Sequence, residues 1–403
     1  MILFEEAVEL VGKHSRNGGA EAVGIQDAYG RILAEDIFSA LDIPAFDNSA
    51  MDGYAVSASD TLKASREVPV CLDLAAEEAS AGLSRQTLPS RGAAMVIMTG
   101  GTIPHGADAV VQLEHVKTEE KKIIITKPVP RGMHIRKRGE DIPEGSLVLN
   151  KGAYLNPGGL ARLAAVGKSG LLVGKRPQVA ILATGNELIE PGQPNPGTGV
   201  FSSNSSLLSA KALQAGGVPF NLGIAGDDTS ALKLKIEKGL EESDLLITTG
   251  GISVGKYDLV KKVLLELGVE EIFHKVRIKP GKPVFFGKYR ERLVFGLPGN
   301  PAAASVTFDL LVSPAIDKFQ GRDPGRLQKR TAVLRENLGK KPGRRHFLRG
   351  KISYEQEKTV VETCGNQGSG NVSSLAGADC LIVLPEESSG QKAGSLVTVY
   401  TVL

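Results

Sequence analysis

Acidic residues directly follow several short apolar runs that end in glycine turns. Glu187 follows ILATGN, Asp227 and Asp228 stand in the turn AGDD, and Asp258 follows TTGGISVGKY. Carboxylates that meet in one crevice are the ligands with which proteins hold Mg²⁺ near phosphate groups. The pattern indicates Mg²⁺-assisted chemistry on a phosphoryl or phosphoanhydride group. For each acid alone, capping of a helix is the alternative, and Asp228 and Asp258 precede helical patterns.

The turn that begins at Gly250 nearly matches a Walker A phosphate loop. The spacing GxxxxGK is present, but Tyr257 replaces the Ser or Thr whose hydroxyl binds Mg²⁺ in that motif. A P-loop NTPase is therefore disfavoured. Two interpretations remain. One is a glycine turn that closes a strand, and the other is a phosphate cradle of a different design, in which backbone N–H groups around Gly250, Gly251 and Ser253 face an anion.

A basic segment, HKVRIKPGKP, alternates cations with apolar residues. In an extended chain Lys275, Arg277 and Lys279 would share one face, which would attract an anion. A sheet edge protected by lysines is the alternative. The prolines of the KPGKP turn, which contains Lys282, favour a preorganised anion loop. Two more basic runs are PRGMHIRKRGED and KKPGRRHFLRG.

The composition disfavours several other classes of protein. The chain is nearly balanced in charge, with 48 Lys and Arg residues against 45 Asp and Glu residues, and its aromatic content is only 5%, without Trp. Both properties argue against a nucleic-acid-binding surface. The six histidines show no HxxxH or HxH spacing, and no GxSxG motif occurs, so a metal cage of histidines and a serine hydrolase are disfavoured. The cysteines form no CxxC pair, and the N-terminal segment is acidic where a signal peptide would be basic, which predicts a cytoplasmic protein. No apolar stretch is long enough to predict a membrane span.

The hydrophobic pattern predicts the elements that position these residues. Strands alternate with helices over 176–322, which predicts an α/β domain with a mostly parallel sheet whose strand ends carry the candidate site. Short apolar runs between turns predict a β-rich domain over 43–146, and residues 323–403 predict a small β-barrel or sandwich. Residues 1–42 and 147–175 form a helical or linker domain, because Phe4, Ala7, Val8 and Val11 have helical spacing and 157–166 reads as a short helix.

The loop PAFDNSAMDGYAV, residues 44–56, is rich in polar residues. Its acids do not fit an EF-hand, because Met51 falls where an oxygen ligand is required. From composition alone, the loop containing Asp52 is a polar turn that enters a strand at Tyr54.

The chain resembles the molybdopterin molybdenumtransferase family, to which the C-terminal domain of gephyrin belongs. The motifs in common, in the family's order, are PAFDNSAMDGYAV, MTGG, HIRKRGEDIPEGS, ATGNEL, GDD, TTGGISVGKYD, IKPGKPVFFG, GLPGNP and QGSG. The resemblance implies an elongated four-part subunit that dimerises, with an α/β domain like that of the molybdopterin adenylyltransferases and a C-terminal β-barrel. It implies that molybdate is inserted into adenylylated molybdopterin with Mg²⁺, releasing AMP and molybdenum cofactor.

The resemblance also assigns roles to residues. Asp52, Thr99 and Asp141 match catalytic positions that project from one subunit toward the α/β crevice of the other. The acids Glu187, Asp227 and Asp258 match catalytic positions that bind the metal. The matches to cofactor-binding positions are Gly250, Gly251, Ser253, Lys275, Lys279, Lys282, Pro298, Pro301, Arg344 and Ser369, of which Arg344 and Ser369 are linked to molybdate binding.

One departure from the family pattern leaves the choice between molybdate and tungstate open. Many relatives carry a serine two residues beyond GNP, where this chain has Ala303. Two other functions also stay open at this point. One is adenylyl transfer from ATP to molybdopterin. The other is a non-enzymatic scaffold or cofactor carrier. The expected partner proteins are molybdopterin adenylyltransferases or molybdoenzymes.

Overall fold

The computed structural model describes residues 1–79, 86–251, 259–322, 327–355 and 357–401. The chain forms two compact units. The first comprises Met1–Glu35, Gly152–Asn156 and Gly170–Leu403, and the second comprises Asp36–Lys151 and Pro157–Ser169. The division into four domains stays a prediction. Within the described ranges, no helix has the length and apolar character needed to cross a membrane.

The N-terminal part of the chain is mainly β-structure. Its elements are α1 (Phe4–His14), β1 (Ala20–Gly24), β2 (Ile37–Phe38), β3 (Asn48–Ser49), β4 (Gly53–Val56), β5 (Val70–Ala79), β6 (Ala93–Ile97), β7 (Ala109–Gln112), β8 (Val116–Glu119), β9 (Lys122–Ile125), β10 (Ile135–Arg136), β11 (Leu147–Leu149), α2 (Pro157–Ala165) and β12 (Gly170–Gly174). Six of the strands form one sheet in the order β7-β4-β6-β5-β9-β8. The β-rich character predicted for 43–146 is confirmed, and so is the first helix, which buries Phe4, Ala7 and Val11.

The α/β part follows the predicted alternation. Its elements are β13 (Gln178–Thr184), β14 (Leu188–Ile189), β15 (Val200–Phe201), α3 (Ser203–Gln214), β16 (Val218–Ala225), α4 (Thr229–Glu242), β17 (Leu245–Thr249), α5 (Leu259–Glu266), β18 (Glu270–His274), β19 (Ile278–Lys279), β20 (Phe285–Tyr289), β21 (Arg292–Leu297), α6 (Pro301–Thr307) and α7 (Ser313–Phe319). The sheet order is β16-β13-β17-β21-β20-β18. β16, β13, β17 and β21 pair in parallel, whereas β20 pairs antiparallel with both β21 and β18. β20 therefore runs against the other strands, and the predicted mostly parallel sheet is confirmed.

Both faces of this sheet are buried, as a parallel sheet with helices on each side requires. Along β13, Val179 and Ile181 pack into one hydrophobic cluster with α1, α3 and the α6–α7 region. The alternating residues Ala180 and Leu182 pack into a second cluster with α4 and α5. The carboxyl ends of the parallel strands are thereby held at one edge.

The C-terminal part is a closed barrel. Its elements are β22 (Lys329–Leu334), β23 (Leu338–Gly339), β24 (Arg345–Glu355), β25 (Lys358–Thr363), α8 (Ser373–Ala376), β26 (Cys380–Leu384), β27 (Gly390–Gln391) and β28 (Leu396–Thr401). Pairing runs from β24 through β25, β22, β28 and β26 and returns to β24. This closure selects the barrel over the sandwich.

Candidate active site

A cavity of about 710 Å³ lies at the carboxyl ends of β13, β17 and β21. Open α/β sheets bind ligands at this edge. We call it the acidic cavity, because it holds Glu187 and Asp227, which are both exposed. Other predicted site residues in its wall are Gly250, Gly251, Pro298 and Pro301.

Asp227 is positioned by Asn186, the residue before Glu187. The side-chain amide of Asn186 donates to Asp227 Oδ2 (2.9 Å), and its oxygen accepts from the Asp227 backbone N–H (2.9 Å). This reciprocal pair joins the turn after β13 to the turn after β16, so that both acids enter one cavity. Sequence reasoning missed Asn186, although its place in the TGNE turn was a signal.

The neighbouring acid has a structural role. Asp228 is the N-cap of α4, where its side chain accepts from the backbone N–H of Ala231. The capping interpretation is therefore confirmed for Asp228, which leaves Asp227 as the acid of the GDD turn that faces the cavity.

The acids fit a divalent cation. Mg²⁺ typically takes one or two protein carboxylates and completes its shell with water and substrate phosphate, a donor set that Glu187 and Asp227 supply. Within the described residues, no group of three or more His, Cys, Asp or Glu side chains could hold a metal ion. The third predicted ligand, Asp258, and the predicted cradle residue Ser253 lie outside the described residues.

The turn after β17 requires glycine. Gly250 and Gly251 have φ values of 93° and 63°, which side-chain-bearing residues rarely adopt. A Cβ atom on Gly250 would lie 2.5 Å from the carbonyl oxygen of Thr184. The backbone of this turn can therefore approach both β13 and a ligand closely.

The turn Pro298–Asn300 is fixed by a buried asparagine on α3. Asn204 Nδ2 donates to Thr249 Oγ1 (2.7 Å) and to the Gly299 carbonyl (2.8 Å). Asn204 Oδ1 is buried and has no hydrogen-bond partner among the described residues. Because Asn204 also lines the acidic cavity, it is a candidate acceptor for a ligand donor, and sequence reasoning missed it.

A second cavity, of about 800 Å³, adjoins the first and shares with it Pro283, Pro298 and Asn300. We call it the basic cavity. Four predicted site residues line it: Lys279, Lys282, Arg344 and Ser369. Lys340, Lys341 and His346 line it as well, and we call the part formed by the lysines and Arg344 its cationic wall. An oxyanion would meet several cations here with little charge compensation.

The structure corrects one part of the basic-segment prediction. β18 ends at His274, and Lys275 has a left-handed backbone with φ 74°, so the segment is not one extended strand. Arg277 and Lys279 are exposed and alternate with the buried residues Val276, Ile278 and Pro280. The common face therefore holds for Arg277 and Lys279 but not for Lys275, because the bend at Lys275 breaks the alternation.

His346 is a neutral group in the cationic wall. Its side chain is buried, and this burial, together with the charges of Lys279, Lys340 and Arg344, lowers the pKa of His346 from 6.5 to about 4. The imidazole is uncharged at neutral pH and can donate from one nitrogen and accept at the other.

The loop that carries Ser369 is held by Arg349 of β24, whose side chain is only 1% exposed and lies on the face of the strand opposite to Leu348 and the barrel interior. Its guanidinium Nη2 donates to the carbonyls of Asn366 and Gly368 (both 3.1 Å), and Nε donates to Ser374 Oγ (3.1 Å). The sequence placed Arg349 in a basic run and gave no sign that it is buried.

Ser369 connects this loop to the acidic cavity. Asn300 Nδ2 donates to Ser369 Oγ (3.0 Å), and the Ala302 backbone N–H donates to the Ser369 carbonyl (3.1 Å). The GNP turn and the QGSG loop therefore meet where the two cavities share a wall. Ser369 lies beside the basic cavity, as a role in oxyanion binding requires.

The second unit contains the three predicted residues Asp52, Thr99 and Asp141, and hydrogen bonds connect the first two. The backbone N–H and the hydroxyl of Thr99 donate to Asp52 Oδ1 (2.7 and 2.8 Å), and these bonds lower the pKa of the Asp52 carboxyl. Asp52 is therefore an oriented carboxylate rather than a plain turn residue. Asp141 is not bonded to this pair. Its backbone N–H donates to the carbonyl of Ile43 (3.0 Å), the residue directly before the 44–56 loop that contains Asp52.

Comparison with known protein families gives matches along most of the chain. The MoeA N-terminal region (domain I and II) matches residues 2–167, a probable molybdopterin binding domain matches 180–318, and the MoeA C-terminal region (domain IV) matches 331–402. The match thus extends well beyond the α/β part.

Individual relatives are similar over nearly their whole length. The molybdopterin molybdenumtransferase of Bacillus subtilis is 35% identical over 100% of this chain and 94% of its own, and that of Haemophilus influenzae is 37% identical over 94% and 93%. The crystal structure of a molybdopterin biosynthesis MoeA protein from Pyrococcus horikoshii OT3 has a TM-score of 0.83 and 34% identity, with 100% of both chains covered. With these matches and the paired cavities, the chain belongs to the MoeA family of molybdopterin molybdenumtransferases.

Proposed function

We propose that this protein inserts molybdate into adenylylated molybdopterin and releases AMP and molybdenum cofactor. The observation that carries the proposal is the wall of Pro283, Pro298 and Asn300, which the acidic and basic cavities share. A substrate with a diphosphate and a separate oxyanion needs a metal-binding side and a cationic side next to each other. Family membership supplies the substrate class.

On the acidic side, Glu187 and Asp227 would hold Mg²⁺, and Asn186 keeps Asp227 in place. When bound, Mg²⁺ neutralises charge on the phosphoanhydride and on the departing phosphate of AMP. The Gly250–Gly251 turn lines the same cavity, and because it carries no side chains its backbone can lie close to these phosphates. The phosphoanhydride bond breaks as water adds across it, and AMP leaves.

On the basic side, Lys279, Lys282 and Arg344 bind and orient the oxyanion. They act by preorganised charge, which costs no reorganisation during the reaction. The two thiol groups of molybdopterin replace one oxide ligand of molybdate: two Mo–S bonds form, and the displaced oxide takes the two thiol protons and leaves as water. The route requires no covalent bond to the protein.

The direct test supplies purified protein with adenylylated molybdopterin, Mg²⁺ and molybdate and measures AMP by chromatography. AMP release that depends on molybdate is the expected result, and its absence would overturn the proposal. Asp227→Ala should abolish most of the release. Asp228→Ala is the matched control, because it removes only a helix cap, worth about 1 kcal/mol.

We also propose a homodimer in which Asp52, Thr99 and Asp141 of a second copy complete the site. The exposed and oriented Asp52 carboxylate supports a role toward a partner surface. In a symmetric dimer, mixing Asp52→Ala with Asp227→Ala protein should restore about a quarter of the sites. No recovery in subunit-exchanged mixtures would contradict site sharing.

We propose that this activity takes place in the cytoplasm. The three cysteines Cys71, Cys364 and Cys380 are all free, as a reducing compartment favours. Molybdopterin adenylyltransferases and molybdoenzymes are the proposed partners, because they would deliver the substrate and receive the product.

A further inference from the structure

Two loops of the second unit carry the acids that would complete the site of a partner subunit. One loop, residues 44–56, contains Asp52, and the other, residues 137–141, ends at Asp141. Both acids are exposed. Groups that act on a substrate must be held within about 0.5 Å of their productive position. The contacts that join the two loops therefore matter for any reaction in which both acids take part.

Asp47 forms a side-chain contact between the two loops. Its Oδ1 accepts from the backbone N–H of Arg138 (2.9 Å), and its Oδ2 accepts from Lys137 Nζ (2.7 Å). Hydrogen bonds to a charged acceptor are stronger than neutral ones. The bond from the Arg138 N–H fixes the backbone of the second loop three residues before Asp141.

The backbone of Asp47 is tied to the turn that carries Thr99. The Asp47 carbonyl accepts from the backbone N–H of Ile103 (3.1 Å). Two residues further along the first loop, Ser49 exchanges backbone hydrogen bonds with the MTGG turn (2.8 and 2.9 Å). Asp47 thus has its backbone bound to the Thr99 side and its side chain bound to the Asp141 side.

The cations of the second loop are paired with carboxylates of the same unit. Lys137 pairs with Asp47, and Arg138 Nε donates to Asp42 Oδ2 (2.6 Å). The Glu144 backbone N–H donates to Asp42 Oδ1 (2.8 Å), and this bond and the one from Arg138 lower the pKa of the Asp42 carboxyl. An incoming anion would have to displace these carboxylates. This part of the basic run therefore fits a role in holding the loop better than a role in binding an oxyanion.

We propose that Asp47 is a positioning residue, which holds the loop of Asp141 against the loop of Asp52 so that both acids enter the partner's site in a fixed relation. The inference rests on the proposed function, because it takes both acids to act there. Loss of the Asp47 carboxylate should leave the fold intact, since exposed ion pairs contribute little to stability. It should, however, release Asp141 from its place, and a displacement of about 1 Å can slow a reaction about a hundredfold.

Hydrogen exchange followed by mass spectrometry tests this contact without reference to activity. In full-length Asp47→Ala protein, residues 137–141 should exchange at least about fivefold faster than in the wild type, because a backbone N–H loses its charged acceptor. Asp47→Asn keeps Oδ1 as an acceptor and should restore most of the protection. Asp73→Ala is the matched control, because Asp73 forms an exposed ion pair with Lys122 (3.5 Å) in the same unit.

The kinetics of AMP release test the consequence for the reaction. In Asp47→Ala, kcat should fall about tenfold to a hundredfold with little change in KM, because the cations and turns proposed to bind substrate lie in the first unit. Asp47→Asn should keep most of the activity. Mixing Asp47→Ala with Asp227→Ala protein should restore about a quarter of the sites, whereas mixing it with Asp52→Ala should restore none, because both changes then affect the same pair of loops.

Each outcome decides the point. Unchanged exchange of residues 137–141 in Asp47→Ala would overturn the positioning role, and so would faster exchange with an unchanged kcat. An equal loss of kcat in Asp47→Ala and Asp47→Asn would overturn it in favour of a direct action of the Asp47 charge. If the wild type releases no AMP, the proposed function fails by itself, and the exchange data still decide whether Asp47 holds the loop.

Discussion

The pH dependence of His346 gives the sharpest quantitative prediction. His346 lies in the wall of the basic cavity, where burial and the charges of Lys279, Lys340 and Arg344 lower its pKa from 6.5 to about 4. As pH falls below 6.5, the unfolded chain takes up this proton before the folded chain does. The folded state therefore loses stability between pH 6.5 and about 4, and this group causes no further loss below that range.

The magnitude follows from the pKa difference. A fall in pKa from 6.5 to about 4 corresponds to roughly 3 kcal/mol once both states are titrated. At pH 4.5 about 2.5 kcal/mol of this should already be lost. The variant His346→Gln keeps a polar side chain of similar size without a titrating proton, so it should lack this part of the acid destabilisation.

The assay is chemical unfolding of both proteins at several pH values, together with NMR titration of the imidazole. The difference in unfolding free energy between wild type and His346→Gln should shift by about 2 kcal/mol from pH 6.5 to 4.5. Sulfate does not titrate in this range and serves as the oxyanion probe. Bound between the cations, it should raise the pKa of His346, because it offsets their repulsion of the imidazolium.

Two results would refute this reasoning. One is a constant difference in unfolding free energy between the two proteins over this pH range. The other is an imidazole that titrates near 6.5 without sulfate. Either result would mean that burial and the charges of the neighbouring cations do not lower the pKa of His346 as the structure indicates.

Three further predictions concern single side-chain contacts. Arg349→Met should lower the unfolding free energy by about 2–4 kcal/mol, because the part-buried carbonyls of Asn366 and Gly368 lose their charged donor. It should also weaken sulfate binding in calorimetry, and unchanged binding would contradict the positioning role of Arg349. Thr99→Val should raise the pKa of Asp52 toward 3.8 in a carbon-13 titration, since only the backbone bond remains. Lys211→Met should cost about 3–5 kcal/mol in chemical unfolding, because it leaves the buried Asp309 carboxylate unpaired, and Lys211→Met/Asp309→Leu should recover most of that loss.

Local patterns in the sequence were enough to predict the α/β part and one side of its site. The alternation of strands and helices depends on short periodicities, and the sheet at β13, β16, β17 and β21 follows it. Because parallel strands end at one edge, the place of Glu187 and Asp227 in the chain already indicated a common crevice. Asp228 was also open to prediction, since a helix cap depends on its immediate neighbours.

The basic cavity could not be derived from spacing. Asn300 and Ser369 are hydrogen-bonded although 69 residues separate them in the chain, so their contact depends on how the α/β part and the barrel pack together. Arg349 looks like any other cation in a basic run, and only its packing under the segment from Asn366 to Ser374 shows that it is buried. The bend at Lys275 was also hidden, because an alternating pattern does not report backbone φ.

By itself, then, the sequence determined the secondary structure, the acids and the glycine turns, since these depend on neighbours along the chain and on strand direction. The family motifs identified the chemistry. The tertiary structure alone decided that the acidic and basic cavities share a wall at Pro298 and that His346 is neutral. These properties depend on burial and on charges brought together from distant segments, which local sequence patterns do not contain.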